Sequence, residues 1–238
     1  IEKGLASSSV KRIFSTIRAI FNLAIAEYGL DMTSPFADVY FPEFDDIKER
    51  QSATGLDITL IQSSCRELND EMRWLLALIT DTGMRLAEAV GLALDDLVID
   101  SKIPHINLKP NDCRRLKTKQ SVRKIPLVGT ALWAAQQVKA EFSGVYAFPR
   151  YTKGGRCNAN NASAGLNKWL KQCASESITV HSYRHGFRDR LRAVQCPSDI
   201  VDALGGWSTS SVGESYGQGY KLDVLNEWMN KLVLDTKG

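Results

Sequence analysis

His181-Ser-Tyr-Arg184-His185 places an imidazole and a guanidinium one turn apart on a helix, and Trp207, Tyr216 and Tyr220 follow downstream. A second arginine, Arg85, stands far upstream in Thr82-Gly-Met-Arg85-Leu-Ala-Glu88. These residue types suit attack of an oxygen nucleophile on a phosphodiester. That reaction builds negative charge on the non-bridging oxygens, so positioning and cationic stabilisation do most of the work. A guanidinium is permanently charged and forks onto phosphate. A tyrosine hydroxyl, with a pKa of about 10, attacks at neutral pH only with help from a base or a local field. His181 is the natural base, and a lysine among other cations can protonate the leaving alkoxide. Each residue has a plainer reading when taken singly. His-x-x-Arg is ordinarily a surface or capping pair, Trp207 a core indole, Lys117 and Lys119 solvated chains, and a tyrosine in Glu214-Ser-Tyr-Gly-Gln-Gly a loop residue. Their order along one chain raises the chemical reading above these. Nothing in the sequence reads as a metal-ligand cluster or a glycine-rich nucleotide cradle.

The elements that must hold these residues fit within 238 positions, enough for one large domain or for one domain and part of another. Apolar residues at 44% and charged residues at 24% are ordinary for a globular protein. The net charge of +3 barely favours a polyanionic partner. Its distribution says more: between residues 102 and 124 cations far outnumber the single acid, Asp112, and Arg184, Arg188, Arg190 and Arg192 crowd one helix. Such clusters predict a basic face for nucleic acid, against the plainer reading of a solvated helix face. Five widely spaced cysteines without a C-x-x-C pair argue against a disulfide framework or a zinc site and for a reducing cytoplasm. No apolar run is long enough to cross a bilayer. The first residue is Ile rather than Met, so the chain is expected to belong to a longer protein.

Residues 9–28 read as an amphipathic helix with Ser9 as N-cap and Gly29 as its stop, and with Lys11, Arg12 and Arg18 off the apolar stripe. Pro35, Pro42 and the polar run 43–54 look like a linker, which divides the chain into 1–48 and 49–238. Helices are expected over 57–68 and 70–80. After a break at Gly83, another runs to about Leu92 with Arg85 and Glu88 on one face. Short β-type runs over 97–127 predict a three-stranded antiparallel sheet, with Lys117 and Lys119 in or near a hairpin turn. Helices over 131–142 and 164–174 follow, separated by a Gly/Asn-rich loop at 154–161. Next come the His181 helix, a helix capped by Ser198 and ended by Gly205-Gly206, and a final helix over 222–233. The predicted class is mainly α with a small antiparallel β-sheet, α+β.

Four segments in this order resemble the tyrosine recombinase family in its phage-integrase branch. They are Thr82-Gly-Met-Arg-Leu-Ala-Glu-Ala-Val-Gly-Leu92, Lys117-Thr-Lys-Gln-Ser-Val-Arg-Lys-Ile-Pro-Leu127, His181-Ser-Tyr-Arg-His185 and Leu204-Gly-Gly-Trp207, the last followed by Tyr216. The resemblance implies a recombinase catalytic domain from about residue 50 onward, preceded by the closing helices of a core-binding domain. It implies that Arg85 and Arg184 grip the scissile phosphate and that His181 assists proton transfer with the nucleophile Tyr216. Glu88 would support the site. Trp207 would donate its indole N–H without an acid/base role. Lys117 would be the general acid, with Lys119 as the alternative. Tyr220 is the rival nucleophile, but the step from Trp207 to Tyr216 is the one that fits the family. His185 points to a different side of the helix from Arg184 and reads as structural.

The implied activity is site-specific integration or excision on double-stranded DNA through a 3′-phosphotyrosyl intermediate. It needs no metal or other cofactor, uses a homotetramer in the cytoplasm, and leaves room for accessory DNA-bending or directionality factors. The final helix, with Trp228 and Met229, is expected on a neighbouring protomer or on its own domain. Two other readings stay open: type IB topoisomerase-like nicking, and a catalytically silent DNA-binding regulator. The short chain and core-binding helices weigh against the first, and the competent residue at every position against the second.

Overall fold

The computed structural model describes residues 4–41, 51–118, 121–207 and 219–235. The chain divides into two compact units, Ile1–Arg50 and Gln51–Gly238. The first is built on α1 (Ser7–Tyr28), none of whose residues is buried. Phe14 and Phe21 pack on Phe36 with ring centroids 6.3 and 4.8 Å apart, and Phe14 meets Phe41 at 5.1 Å. Arg18 Nε donates to the Phe36 carbonyl at 2.7 Å, so this cation serves the unit's own turn. Gly29 ends the helix in the left-handed region, as expected. Ser9 is not the cap. The helix starts at Ser7 behind Ala6, and Ser9 lies within its first turn, because the apolar stripe marks where a helix packs rather than where it begins.

The second unit opens on α2 (Gly55–Leu68). The Thr54 hydroxyl accepts from the Asp57 amide at 3.3 Å while the Asp57 carboxylate accepts from the Thr54 amide at 2.9 Å. This reciprocal box satisfies two backbone donors at the helix start. In α3 (Glu71–Thr82), capped by Asp70, every residue from Trp74 to Thr82 is buried. It is the central helix, packed against α2, α5 (Gly129–Glu141) and α7 (Val180–Ala193). Gly83 ends it with φ of 60° and α4 (Leu86–Val90) follows. The sheet comprises β1 (Leu97–Val98), β2 (His105–Leu108) and β3 (Arg123–Pro126), antiparallel in that order, with Ile106 opposite both Leu97 and Ile125. The remaining helices are α6 (Ala159–Cys173), α8 (Ser198–Gly205) and α9 (Leu222–Asp235).

The mainly helical class with a small antiparallel sheet is therefore the observed one. Among the other helix starts that differ from expectation are those of α6 and α8. Asn158 caps α6 by accepting from the Asn161 amide at 3.2 Å, so the end of the presumed 154–161 loop is already helical. Ser198 is the first residue of α8 and makes no capping bond; Pro197, fixed at φ of −53°, occupies the cap. The polar run expected to be a linker lies largely outside the described residues.

Buried charge knits the second unit. The Asp81 carboxylate accepts from Gln62 Nε2 at 2.8 Å, Arg190 Nη1 at 3.0 Å and the Thr130 amide at 3.0 Å. One side chain thus joins α2, α3, α5 and α7, with the full complement of partners a buried ion needs. The arginines of α7 do not form a single basic face. Arg190 points inward, Arg184 is buried, Arg188 pairs with Asp202 at 3.2 Å, and Arg192 is exposed. In the basic run between residues 102 and 124, Arg114 is likewise buried against Asp96 at 3.0 Å. On α9, Leu225, Met229 and Leu232 share a core with Val128, Phe187, Leu191 and Leu204, so its apolar face docks on its own unit. Among the described residues no helix is long and apolar enough to cross a membrane.

Candidate active site

The turn between α3 and α4 locks onto α7 before any reactive group is placed. Gly83 has a positive φ, and a Cβ there would come within 2.3 Å of the Phe187 ring. Its carbonyl accepts from Arg184 Nη1. Two residues on, Arg85 occupies the N-cap of α4. The Glu88 carboxylate takes the Arg85 amide at 3.0 Å and Arg85 Nη1 at 2.6 Å, so the expected shared face is an ion pair. Arg85 also donates to the Ser121 hydroxyl and to the Gly206 carbonyl, each at 3.2 Å. Glu88 nearby and two residues distant in sequence, Ser121 and Gly206, hold one guanidinium.

Arg184 is 4% exposed, and its Nη2 is buried without a hydrogen-bond partner. Its guanidinium lies 4.4 Å from the centroid of the Trp207 ring, and Arg188 lies 4.9 Å from the same ring. Asp202 steadies the group, taking Arg188 on its side chain and the Trp207 amide on its carbonyl at 3.1 Å. Burial, then the facing guanidiniums of Arg85 and Arg123, push Arg184 from its ordinary value down to about 9. Burial alone would raise the Glu88 carboxyl, but Arg123 and the Arg85 amide and side chain outweigh it and hold it below 4.5. The cluster is three guanidiniums around one carboxylate, with a buried donor to spare. Such a donor is costly unless something accepts from it, and an oxyanion does so best.

His181 is exposed on the first turn of α7, one turn before Arg184. The start of that helix is secured by Asn167, whose side chain accepts from the Val180 amide at 3.0 Å. The His185 ring stands edge-on to His181 at 4.7 Å with its Nε2 buried. Set aside as structural on sequence grounds, His185 backs the candidate base directly. Lys117 is exposed on the β2–β3 connection. That connection is tied to the cluster, because Thr118 and Ser121 bond each other at 3.1 Å and Ser121 receives Arg85. Lys119 and Tyr216 lie outside the described residues. Tyr220 donates its hydroxyl to the Asp199 carboxylate on α8, and that bond leads the causes holding Asp199 below its usual value.

Arg85, Glu88, Arg184 and Trp207 thus meet, with His181 on the adjoining turn and Lys117 on a neighbouring loop. Sequence reading missed Arg123. It lies in one of the quoted segments, but a strand residue between Val122 and Lys124 gives no sign that it faces inward. Its Nη2 reaches Glu88 at 3.1 Å.

Comparison with known proteins bears on this arrangement. Residues 57–221 match the phage integrase family. The tyrosine recombinase XerD of Corynebacterium glutamicum is 25% identical over 233 residues, spanning 90% of this chain and 71% of the relative. The tyrosine recombinase XerC of Psychromonas ingrahamii is 25% identical over 206 residues, 82% of this chain and 66% of the relative. Among solved structures, the Tn1549 transposon integrase in complex with transposon right end DNA superposes with a TM-score of 0.61 at 20% identity, over 98% of this chain and 81% of that one. A lambda integrase tetramer bound to a Holliday junction does so with a TM-score of 0.58 at 16% identity, over 91% and 62%. The family match runs through every described member of the cluster, and the chain belongs to the phage integrase family, as a tyrosine recombinase.

Proposed function

We propose that the protein is a site-specific recombinase of double-stranded DNA, which integrates or excises a phage or mobile element through a 3′-phosphotyrosyl intermediate. The observation that carries this reading is the buried, unpartnered Nη2 of Arg184 beside Arg85, within a cluster of three guanidiniums and one carboxylate. Arg85 and Arg184 clamp the non-bridging oxygens of the scissile phosphate, and their charge grows in value as the transition state gathers negative charge. Trp207 donates its indole N–H to the same phosphate and packs against the guanidiniums. Tyr216 attacks phosphorus as His181 takes its phenolic proton. The 5′-oxygen leaves with a proton from Lys117, or from Lys119 if the turn presents that residue instead. A 5′-hydroxyl of the partner duplex then attacks the phosphotyrosine, and the same groups run in reverse. One phosphoester bond forms for each that breaks, so the exchange needs no external energy source.

The reading extends to partners. Residues 1–48 act as the end of a core-binding domain that clamps DNA together with the catalytic domain, 49–238. Four protomers work across two sites in the cytoplasm, a number supported by the lambda integrase tetramer bound to a Holliday junction, and accessory DNA-bending or directionality factors act on that assembly. Because α9 already commits its apolar face to its own unit, with half-buried Trp228 packed on the same core, contact with a neighbour would use its exposed face at Asp223, Glu227 and Asn230.

The test is a covalent adduct on a denaturing gel, formed on a suicide duplex nicked beside the cleavage point of the element's own attachment site. Wild type and Tyr220→Phe should form it and Tyr216→Phe should not. Loss in Tyr220→Phe alone would move the nucleophile, although the Tyr220 hydroxyl is engaged by Asp199. A wild-type protein that binds this DNA and forms no adduct would sink the catalytic reading.

A further inference from the structure

Arg123 stands on β3 with its side chain only 6% exposed and each guanidinium nitrogen engaged. Nε donates to the Leu204 carbonyl at 2.8 Å, Nη1 to the Ser121 carbonyl at 2.9 Å and Nη2 to Glu88 Oε2 at 3.1 Å. It therefore grips three places on which the site depends. One is the carboxylate that holds Arg85. Another is the hairpin end whose Ser121 hydroxyl receives Arg85. The third is the last turn of α8, which delivers Gly206 and Trp207. Gly206 rests on the guanidinium itself, where a Cβ would lie 2.6 Å from Nη1, and its backbone has φ of 62°. The Gly206 carbonyl in turn accepts from Arg85 Nη2.

We infer that Arg123 is a positioning residue for strand cleavage, fixing Arg85 and Trp207 relative to each other without touching the substrate. Two physical roles follow from the geometry. The first is mechanical: three donors in one rigid plane set β3, α4 and the end of α8 in a single register. The second is electrostatic. Glu88 divides its charge between Arg85 and Arg123, so the three side chains together keep one positive charge for the phosphate. Without Arg123, Glu88 and Arg85 would form a neutral pair, and the grip on an anion would weaken. The contrast with Arg184 separates the roles: each of Arg123's three nitrogens donates to a protein acceptor, whereas Arg184 keeps a buried nitrogen without one. A lysine at this position would keep the charge and lose the planar fork.

This inference rests on the reading in which Arg85 grips the scissile phosphate, and the experiment separates the two. Single-turnover adduct formation on the suicide duplex is compared for wild type, Arg85→Gln, Arg123→Gln and the double variant. Loss of Arg85's placement should slow the adduct step about 10- to 100-fold at saturating DNA, since a misplacement of about 1 Å can cost that much. Half-saturation by DNA should stay within about twofold, and the double variant should be no more than about twofold slower than Arg85→Gln. A wild-type rate in Arg123→Gln overturns the inference, and so does a full Arg123 effect persisting in the Arg85→Gln background, which would mark a separate structural role. If Arg85→Gln itself cleaves at the wild-type rate, the reading of Arg85 falls first and the inference with it. Should Arg123→Gln lack a cooperative melt, Arg123→Lys takes its place. It should slow the adduct step and add nothing to Arg85→Gln, and wild-type cleavage by Arg123→Lys overturns the need for the fork.

Discussion

Arg184 holds its charge where the surroundings oppose it. Its folded pKa of about 9 lies below its unfolded one, so between the two values the unfolded chain keeps the proton more tightly. The charged form therefore costs stability at every pH below about 9, and the cost eases only as pH rises through that value. A bound oxyanion should relieve it at neutral pH. Thermal melts in sulfate and in chloride of equal ionic strength should differ by several degrees for wild type, where about 1 kcal/mol is worth about 2–4 °C. Sulfate also stabilises proteins generally by exclusion, so the readout is the part of the shift lost in Arg184→Gln. An equal shift in both proteins would remove Arg184 from the anion site. Gly83 carries a different kind of cost. Gly83→Ala combines a left-handed backbone, about 1–2 kcal/mol for a residue with a Cβ, with a clash against Phe187. Chemical denaturation should show a loss of about 2–5 kcal/mol, since overpacking adds about 1–3 kcal/mol; a loss below about 1 kcal/mol would mean that the Phe187 ring simply moves aside.

Between elements, the carboxylates Glu88 and Asp81 do the joining. Glu88 has a folded pKa below 4.5, so its stabilisation is present above that value and fades as pH falls through the lower folded one. Glu88→Gln should flatten the acid side of the stability profile and lower stability at pH 7; an unchanged acid limb would show that other carboxylates dominate it. Asp81→Asn leaves Arg190 buried without its counter-ion and should cost about 3–5 kcal/mol in denaturant midpoint experiments. Much of this scale was legible in the sequence. Gly29, Gly83 and Gly206 end helices where positive φ favours glycine, and the i, i+3 spacing of Arg85 and Glu88 foretold their pairing. The serines were less informative, because Ser9 and Ser198 look like caps but sit inside their helices. The long-range ties were not legible at all. In the sequence Arg190 reads as part of a basic face though its acid is Asp81, and nothing marks Arg123, because two of its three acceptors are backbone oxygens.

For the whole molecule, cations turned inward change what counting charges implies. Arg114, Arg123 and Arg190 are committed to protein acids, so fewer cations face DNA than the sequence offers. The salt dependence of DNA binding should be correspondingly shallow, since each phosphate neutralised contributes about 0.9 to the slope of log affinity against log salt. A slope matching every Lys and Arg between residues 102 and 124 would contradict these burials. In the proposed mechanism cleavage draws its positive charge from guanidiniums, so adduct formation should proceed undiminished in EDTA, and a loss restored by a divalent ion would overturn that. The site's moorings bear on ancestry as well. Arg184 is anchored to the carbonyl of Gly83, Arg85 to that of Gly206 and Arg123 to that of Leu204. Every residue type carries a carbonyl, so mutation cannot delete these anchors; only a change in the path of the chain can. A lineage that keeps these anchors is therefore free to exchange most of its side chains, so long as the backbone holds its course.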